Sequence, residues 1–271
     1  MHRILSFQRW KVAARRVGLA GVALVLIAGG ASCSTTTEPA PETGVDYYPI
    51  AVGKFWIYAV VDTTWSAASG QGSQLVASVP TRTVYQFREK ITETFTDAAG
   101  KTAYRLVRSK LGPVGTAFQD DSVFVLNASA QSVLLTRNNR RTLELIFPVR
   151  EGRLWNLNGY NNNSNDTITA ETRRYSLVGK PFTTAATAGS PAQTYPETLT
   201  TTNTGTAADN SLVKRTGYRQ VFAKGVGPVF RHRYSLLPYT YVSSNGNQVY
   251  PSNAYSVGFS RTETLIDYGP R

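Results

Sequence analysis

Along most of the chain, apolar and polar side chains alternate one by one. The run from Thr83 to Phe95, TVYQFREKITETF, sets Tyr85, Phe87, Ile91 and Phe95 on one face and Val84, Gln86, Arg88, Lys90, Thr92 and Thr94 on the other. A period of two over this length predicts a long, half-buried β-strand. DAAGK (97–101) then turns the chain and TAYRLVRSKL returns it, which predicts a hairpin. Further strands are predicted at KFWIYAVVDTTW, SVFVLN, SVLLTR, RTLELIF, RRYSLV, KRTGYRQVFA, GPVFRHRYSL, YTYVS, AYSVGF and RTETLIDY, with RNNR and SNGN as turns between neighbours. The stretch from Thr183 to Ser211, rich in Thr, Ala and Gly, breaks the alternation and is predicted as surface loop around one short strand at TYPETLT.

No run of twelve residues in the body of the chain shows a clear helical spacing of apolar groups, while Tyr, Thr, Val and Phe are abundant, as pleated surfaces favour. The predicted class is all-β and antiparallel, with few or no helices beyond the N-terminal leader. Its curved sheet would form a sandwich, a half-barrel or a barrel with one wet face. One nine-residue phrase occurs twice, as YPIAVGKFW (Tyr48 to Trp56) and FPVREGRLW (Phe147 to Trp155). Pro49 and Pro148 push the residue before them toward extended geometry. Gly53 and Gly152 suit a turn at positive φ, and Trp56 and Trp155 then plant a large ring as a strand begins. The expectation is that both tryptophans are buried core anchors at equivalent strand starts, and that the chain comprises two related halves, 45–142 and 143–271. Both rings facing one open groove would instead favour a shared platform for a sugar or lipid.

The first thirty-two residues lie outside this pattern. Arg3, Arg9, Lys11, Arg15 and Arg16 form a basic head without an acid, followed by the apolar run from Val17 to Ala31 and small residues before Cys33. That order predicts a secretory signal peptide, because fifteen apolar residues fall short of the roughly 20 a spanning helix needs. Removing the five bases lowers the formal charge from +12 to +7. The remaining bases, in RRTLEL, VREGR, VKRTGYR and FRHR, are expected to form a solvated basic face. Nucleic acid is not an expected partner of such an exported domain.

Catalytic raw material is sparse. His232 is the one histidine beyond the leader, set between Arg231 and Arg233, which would disfavour its charged form, and no GxSxG elbow accompanies it. Zinc would need several N or S ligands that the body of the chain lacks. NGYNNNSNDT (158–167), with Asp166 as its one acid, is predicted as a polar hairpin tip rather than a calcium loop. Glu89 and Glu93 share one face of the long strand about 13 Å apart, wider than either glycosidase geometry. KGVGPVF (224–230) has no helix after its glycines and is predicted as a bend or bulge. No catalytic residue, cofactor or metal is assigned.

Cys33, the single cysteine, stands where cleavage is expected and cannot form an internal disulfide. GGASC resembles the lipobox of bacterial lipoproteins, with Gly30 where a Leu usually stands. The resemblance implies acylation of Cys33 and anchoring to a bilayer, followed by the Thr- and Pro-rich tether STTTEPAPETG (34–44) and a β-rich domain over 45–271. Ser34 after the cysteine implies the outer membrane. Cleavage after Ala31 would instead give a soluble periplasmic protein. Asp62–Thr64, Asp121–Val123 and Asp166–Ile168 resemble the O-glycosylation sequon of exported Bacteroidota proteins, with Thr63, Ser122 and Thr167 as acceptors. YYPIAVGKFWIY, LIFPVREGRLWN, VFAKGVGPVFR and ETLIDYG together resemble a group of Bacteroidota lipoproteins marked by YYPLxVGxxWxY, FPVxxGxxWN and YAKGVGLV, a group with no assigned activity.

The functional expectation is an outer-membrane-anchored, non-enzymatic β-rich domain that holds a hydrophobic small molecule in an apolar interior or binds an envelope protein. The alternatives are a hydrolase of envelope polysaccharide and a structural or adhesive surface module.

Overall fold

The alternating runs fold as strands that follow one another around a barrel. A computed structural model describes residues 43–164, 168–204 and 211–270, so the leader, Cys33 and Thr167 lie outside the described residues. The strands are β1 (Phe55–Trp65), β2 (Pro80–Thr96), β3 (Thr102–Leu111), β4 (Gln119–Ala128), β5 (Ser132–Arg137), β6 (Arg140–Ile146), β7 (Leu154–Asn156), β8 (Thr172–Thr183), β9 (Thr194–Asn203), β10 (Arg215–Ala223), β11 (Gly227–Pro238), β12 (Tyr241–Val242), β13 (Gln248–Val249) and β14 (Tyr255–Gly269). Twelve of them form one antiparallel sheet in the order β6-β5-β4-β3-β2-β1-β14-β11-β10-β9-β8-β7, while β12 and β13 make a separate small hairpin between β11 and β14. Single 3₁₀ turns stand at Val45–Tyr47 and Gly72–Gln74. Of the expected all-β architectures, the nearly closed barrel is the one found.

The two sheet ends, β6 and β7, meet without a regular ladder. The Leu143 amide donates to the Leu157 carbonyl at 2.8 Å, and side chains supply the remaining bonds. Trp155 Nε1 donates to the Leu143 carbonyl, the Tyr175 hydroxyl bonds both the amide and the carbonyl of Ile146, and Arg140 donates twice to Asn158 Oδ1. A division between residues 142 and 143 would cut β6; an even count of six and six sheet strands falls at the β6–β7 connection.

The two nine-residue phrases have the same backbone geometry. Gly53 (φ 91°) donates to Ile91 O and Gly152 (φ 76°) to Tyr175 O; the return bonds run from Ile91 N to Lys54 O and from Tyr175 N to Arg153 O. Each glycine sits in a turn whose next amide, Lys54 or Arg153, donates three residues back. Trp56 and Trp155 are then the second residues of β1 and β7, both buried, and each indole N–H donates at 2.7 Å to a backbone carbonyl, of Val226 and Leu143 respectively.

Strand register divides the interior into two levels. At the end holding Phe55, Ile146 and Gly227, inward side chains from most strands pack into one apolar cluster that includes Trp56, Tyr58, Leu126, Leu145, Trp155, Tyr175, Leu199, Phe222 and Val229. The N-terminal segment closes this end: Tyr48 packs edge-on against Trp56 and beside Phe222, Thr43 O accepts from Val149 N, and Asp46 O accepts from Gly225 N. Each fully buried large side chain contributes roughly 1.5–3 kcal/mol relative to exposure, so this end is the stabilising core. Toward the other end, the inward positions are charged. Outward positions include Arg88, Lys90 and Arg105, whose inward-facing neighbours Phe87, Glu89, Ile91 and Leu106 are buried. That alternation is the reverse of a barrel whose outer face meets lipid.

Several expectations are refined or changed here. The one strand expected within 183–211, at TYPETLT, is present as β9 and runs three residues further, to Asn203, because its threonines fit a pleated surface and Thr198, Thr200 and Thr201 are buried. KGVGPVF contains both a turn and a bulge: Lys224–Val226 turns β10 into β11, and a register shift leaves Val229 as the extra residue between Pro228 and Phe230, which pair with Phe222 and Val221. AYSVGF and RTETLIDY join into the single strand β14. A register shift between Ile91 and Glu93 reverses the facing of β2, so Glu89 points inward whereas Glu93 pairs with Arg105 in solvent; Phe95 is correspondingly exposed.

Candidate functional site

Inward positions of β2, β3, β5, β6, β8, β10, β11 and β14, at their ends away from the apolar cluster, surround a partly open cavity of about 830 Å³. Its wall carries eight basic side chains (Arg108, Arg137, Arg140, Arg173, Lys214, Arg231, Arg233, Arg261) against four acidic ones (Glu89, Glu144, Glu171, Glu263). Phe124, Leu106, Leu135 and Tyr48 contribute the apolar part. The volume is that of a small-molecule site. The apolar interior expected from the sequence is filled by packed side chains, and the open space lies in the charged layer. Bases expected on a solvated face, including Arg231 and Arg233 of FRHR, line this cavity instead.

Glu89 is the hub of the layer and is buried. Arg108 donates Nε (3.1 Å) and Nη2 to its Oε1, and Arg231 donates Nη1 to Oε1 (3.0 Å) and Nη2 to Oε2 (2.9 Å). Arg231 Nη1 also reaches Glu263 Oε2 at 2.9 Å. Burial acts to raise the Glu89 pKa, but the charges of Arg231 and Arg108 outweigh it and hold the carboxyl far below the usual range. Burial likewise opposes the Arg231 charge, and Glu89, Tyr58 and Glu263 overcome it, keeping the guanidinium well above its ordinary value. Arg108 lies over the rings of Phe87 and Phe124, and Arg231 over that of Tyr58. Nearby, Arg261 grips Asp62 through Nε (2.6 Å) and Nη2 (2.7 Å), and the Tyr85 hydroxyl donates to the same carboxylate.

Other guanidinium groups are less completely matched. Arg173 is 5 % exposed; its Nη2 meets Glu171 at 2.6 Å and its plane lies 3.6 Å from the Tyr218 ring, while Nε and Nη1 are buried without a hydrogen-bond partner. Arg137 stacks on Phe124 at 4.5 Å, has a buried Nε without a partner, and forms no ion pair among the described residues. Arg233, at the rim, likewise has no carboxylate partner among the described residues and faces Arg261 directly across the β11–β14 ladder. Unpaired buried donors and facing like charges are both costly. Burial pushes the pKa of Tyr218 up to about 12, so its hydroxyl stays protonated and donates to Gln220 Oε1.

The remaining sequence candidates lie apart from this cavity. His232 faces outward with Nε2 3.3 Å from Ser260 Oγ, and burial followed by the charge of Arg219 lowers its pKa; Arg231 and Arg233 point to the other side of the strand. Thr63 is half-buried in β1, and the Ser122 hydroxyl in β4 donates to Asp121 Oδ2. Pro49, Gly53 and Trp56, with Pro148, Gly152 and Trp155, build the turns and core described above rather than a groove. Asn158, from the tip NGYNNNSNDT, is buried between Arg140 and the Thr169 carbonyl, and Asp166 lies outside the described residues. Among the described residues there is no group of three or more His, Cys, Asp or Glu placed to hold a metal, and no helix long and apolar enough to cross a membrane.

No protein-family model matches the chain, and no curated protein matches it.

Proposed function

We propose that this protein is a non-enzymatic binding barrel of the bacterial envelope that holds a small, polar, anionic ligand in its arginine-lined cavity. The observation that carries this reading is the twofold excess of basic over acidic groups around about 830 Å³ of open space, with buried guanidinium nitrogens lacking acceptors. An anion would supply those acceptors, and charge-assisted bonds in a partly desolvated site are the stronger kind. Aromatic faces under the arginines and the amide and hydroxyl groups of Asn158, Gln220 and Tyr218 suit a hydroxylated or otherwise polar ligand body better than an acyl chain.

The lipid-anchored form fits this reading. Cys33 lies ten residues before Thr43 in the sequence, and the Thr- and Pro-rich stretch between them would serve as the tether of an acylated cysteine. The resemblance to the Bacteroidota lipoprotein group supports the exported, lipid-anchored form. Hydrolysis of polysaccharide is the weaker alternative, since Glu89 is held ionised between two arginines and has no proton to give a leaving group.

Mass spectrometry of small molecules released from protein purified out of its native envelope tests the binding reading. Recovery of an anionic species whose affinity falls with added salt is the expected result. Recovery of a neutral lipid would overturn it and restore the hydrophobic-ligand expectation. Incorporation of labelled palmitate, lost in Cys33→Ser, tests the anchor separately.

A further inference from the structure

Of the guanidinium groups around the cavity, three have no acid within ion-pair distance among the described residues: Arg137 on β5, Arg140 on β6 and Arg233 on β11. Arg140 is held instead by Asn158 Oδ1, which leaves Arg137 and Arg233 without a carboxylate or amide acceptor there. Arg108 and Arg231 are neutralised by Glu89 and Glu263, and Arg261 by Asp62. Going round the barrel from β5 through β4, β3, β2, β1 and β14 to β11 takes six steps, the widest separation twelve strands allow. The two unmatched charges therefore stand on opposite walls of one cavity, both near its open end: Arg137 is the last residue of β5, and Arg233 lies four residues beyond the buried Val229 on β11. Neither has moved to an internal acid, although Glu144 and Glu263 line the same space.

We infer that the ligand is small and carries two anionic groups, one held by Arg137 and the other by Arg233 across the cavity, with Arg173 beneath as a third source of positive potential. This rests on the anion-binding reading above and sharpens it to a ligand with two charged ends. Burial and then the repulsion of Arg108 lower the pKa of Arg137; Arg233, exposed at the rim, is lowered by partial desolvation and by the repulsion of Arg261, so a bound anion relieves a like-charge repulsion at both sites. The shared chemistry is a pair of oxyanions on a body short enough to fit within the cavity. Two carboxylates and two phosphates are the sources to be told apart.

Calorimetric titration of the purified protein with glucarate (two carboxylates), gluconate (one) and sorbitol (none), and in parallel with a hexose bisphosphate and a hexose monophosphate, tests this. The expected result in at least one series is that the ligand with two anionic groups (dianion for the carboxylates, bisphosphate for the phosphates) binds roughly ten- to hundredfold more tightly than its counterpart with one, the range set by one charge-assisted hydrogen-bonded group. Arg137→Gln and Arg233→Gln should each bring the two-group ligand down to the level of its one-group counterpart, whereas Arg137→Lys and Arg233→Lys, which keep the charge, should retain most of the preference. Retained thermal unfolding in each variant identifies the effect as local; should a Gln variant fail to fold, its Lys partner and the wild-type ligand series still decide. Equal binding of the one-group and two-group ligands would overturn the two-ended inference while leaving anion binding intact. A two-group preference unmoved by both Gln variants would overturn the assignment of the residues. Binding by none of the four anions would overturn this inference and the parent reading together.

Discussion

Replacing Glu89 with Leu removes the one carboxylate shared by Arg108 and Arg231 while keeping side-chain volume similar. In the folded barrel Arg231 retains Glu263 at 2.9 Å, but Arg108 loses its only ion-pair partner among the described residues in a position 6 % exposed. Breaking a buried pair from one side costs about 3–5 kcal/mol, because the abandoned charge stays desolvated. For a chain of this size that corresponds to a fall in Tm of roughly 6–20 °C, at about 2–4 °C per kcal/mol. Urea unfolding followed by tryptophan fluorescence suits the measurement, since Trp56 and Trp155 are both buried. Adding Arg108→Met should recover much of the loss, because exchanging a buried ion pair for packed apolar groups is about neutral or stabilising. The pH dependence has a defined sign. The folded Glu89 pKa lies below its unfolded value of about 4.3, so the stabilisation is complete above that pH and is lost progressively as pH falls toward the folded value, where the unfolded chain takes up a proton the folded one does not. Glu89→Leu should lack that part of the slope. A loss under about 1 kcal/mol, the range of exposed pairs, would show that the charged layer is solvated and refute the argument.

Three further outcomes follow from the packing. Asn158→Ala removes the acceptor of Arg140 and the donor to Thr169 O in a buried site, and should cost about 1–3 kcal/mol with faster hydrogen exchange at the Leu143 amide. Trp155→Phe strands the Leu143 carbonyl and should likewise raise exchange along the β6–β7 contact, whereas Trp56→Phe, whose partner is Val226 O, should destabilise by a similar amount of about 1–3 kcal/mol without that local signature. Gly227→Ala would set a Cβ 2.8 Å from Trp56 Nε1 at φ +107° and should destabilise by more than Gly225→Ala, which meets open space and bears only the left-handed backbone penalty of about 1–2 kcal/mol; thermal unfolding of the two variants compares them.

The barrel was legible in the chain to the extent that period two survives in it. TVYQFREKITETF alternates over its length, KFWIYAVVDTTW and TAYRLVRSKL are rich in the aromatic and aliphatic residues that pleated surfaces favour, and each is a strand paired with the next. β9 was underestimated because threonine is polar by type yet buries well when its hydroxyl finds a carbonyl, as Thr198 does with Lys180 O at 2.7 Å. The change of facing in β2 was not legible, since a one-residue register shift leaves no mark in composition but moves Glu93 and Phe95 outward, while Glu89, ahead of the shift, keeps the inward phase of Phe87 and Ile91. The signal for the cavity was present in another form. Charged residues occupy the inward phase of otherwise apolar alternation, as in Phe87-Glu89-Ile91, Leu106-Arg108 and Val229-Arg231-Arg233. Counted as composition, these arginines look like scattered surface charge; counted by strand phase, they point into the barrel.

The repeated phrase connects the core to that charged layer. In the register of each turn, the residue directly opposite the tryptophan on the following strand is Glu89 for Trp56 and Arg173 for Trp155. Directly opposed residues share a face, so each buried indole fixes the height at which a charged side chain enters the interior. The next inward residues toward the closed end, Ile91 and Tyr175, exchange backbone bonds with the same glycine turns and are fully buried. The boundary between apolar core and cavity is thus set by the same two turns on the two sides of the barrel. What differs is the sign of the charge above each tryptophan: Glu89 is satisfied by Arg108 and Arg231, while Arg173 keeps two nitrogens without acceptors. A wall built twice to one backbone plan is therefore internally neutralised on the Glu89 side and left positive on the Arg173 side, and it is on that second side that an anion from outside gains most.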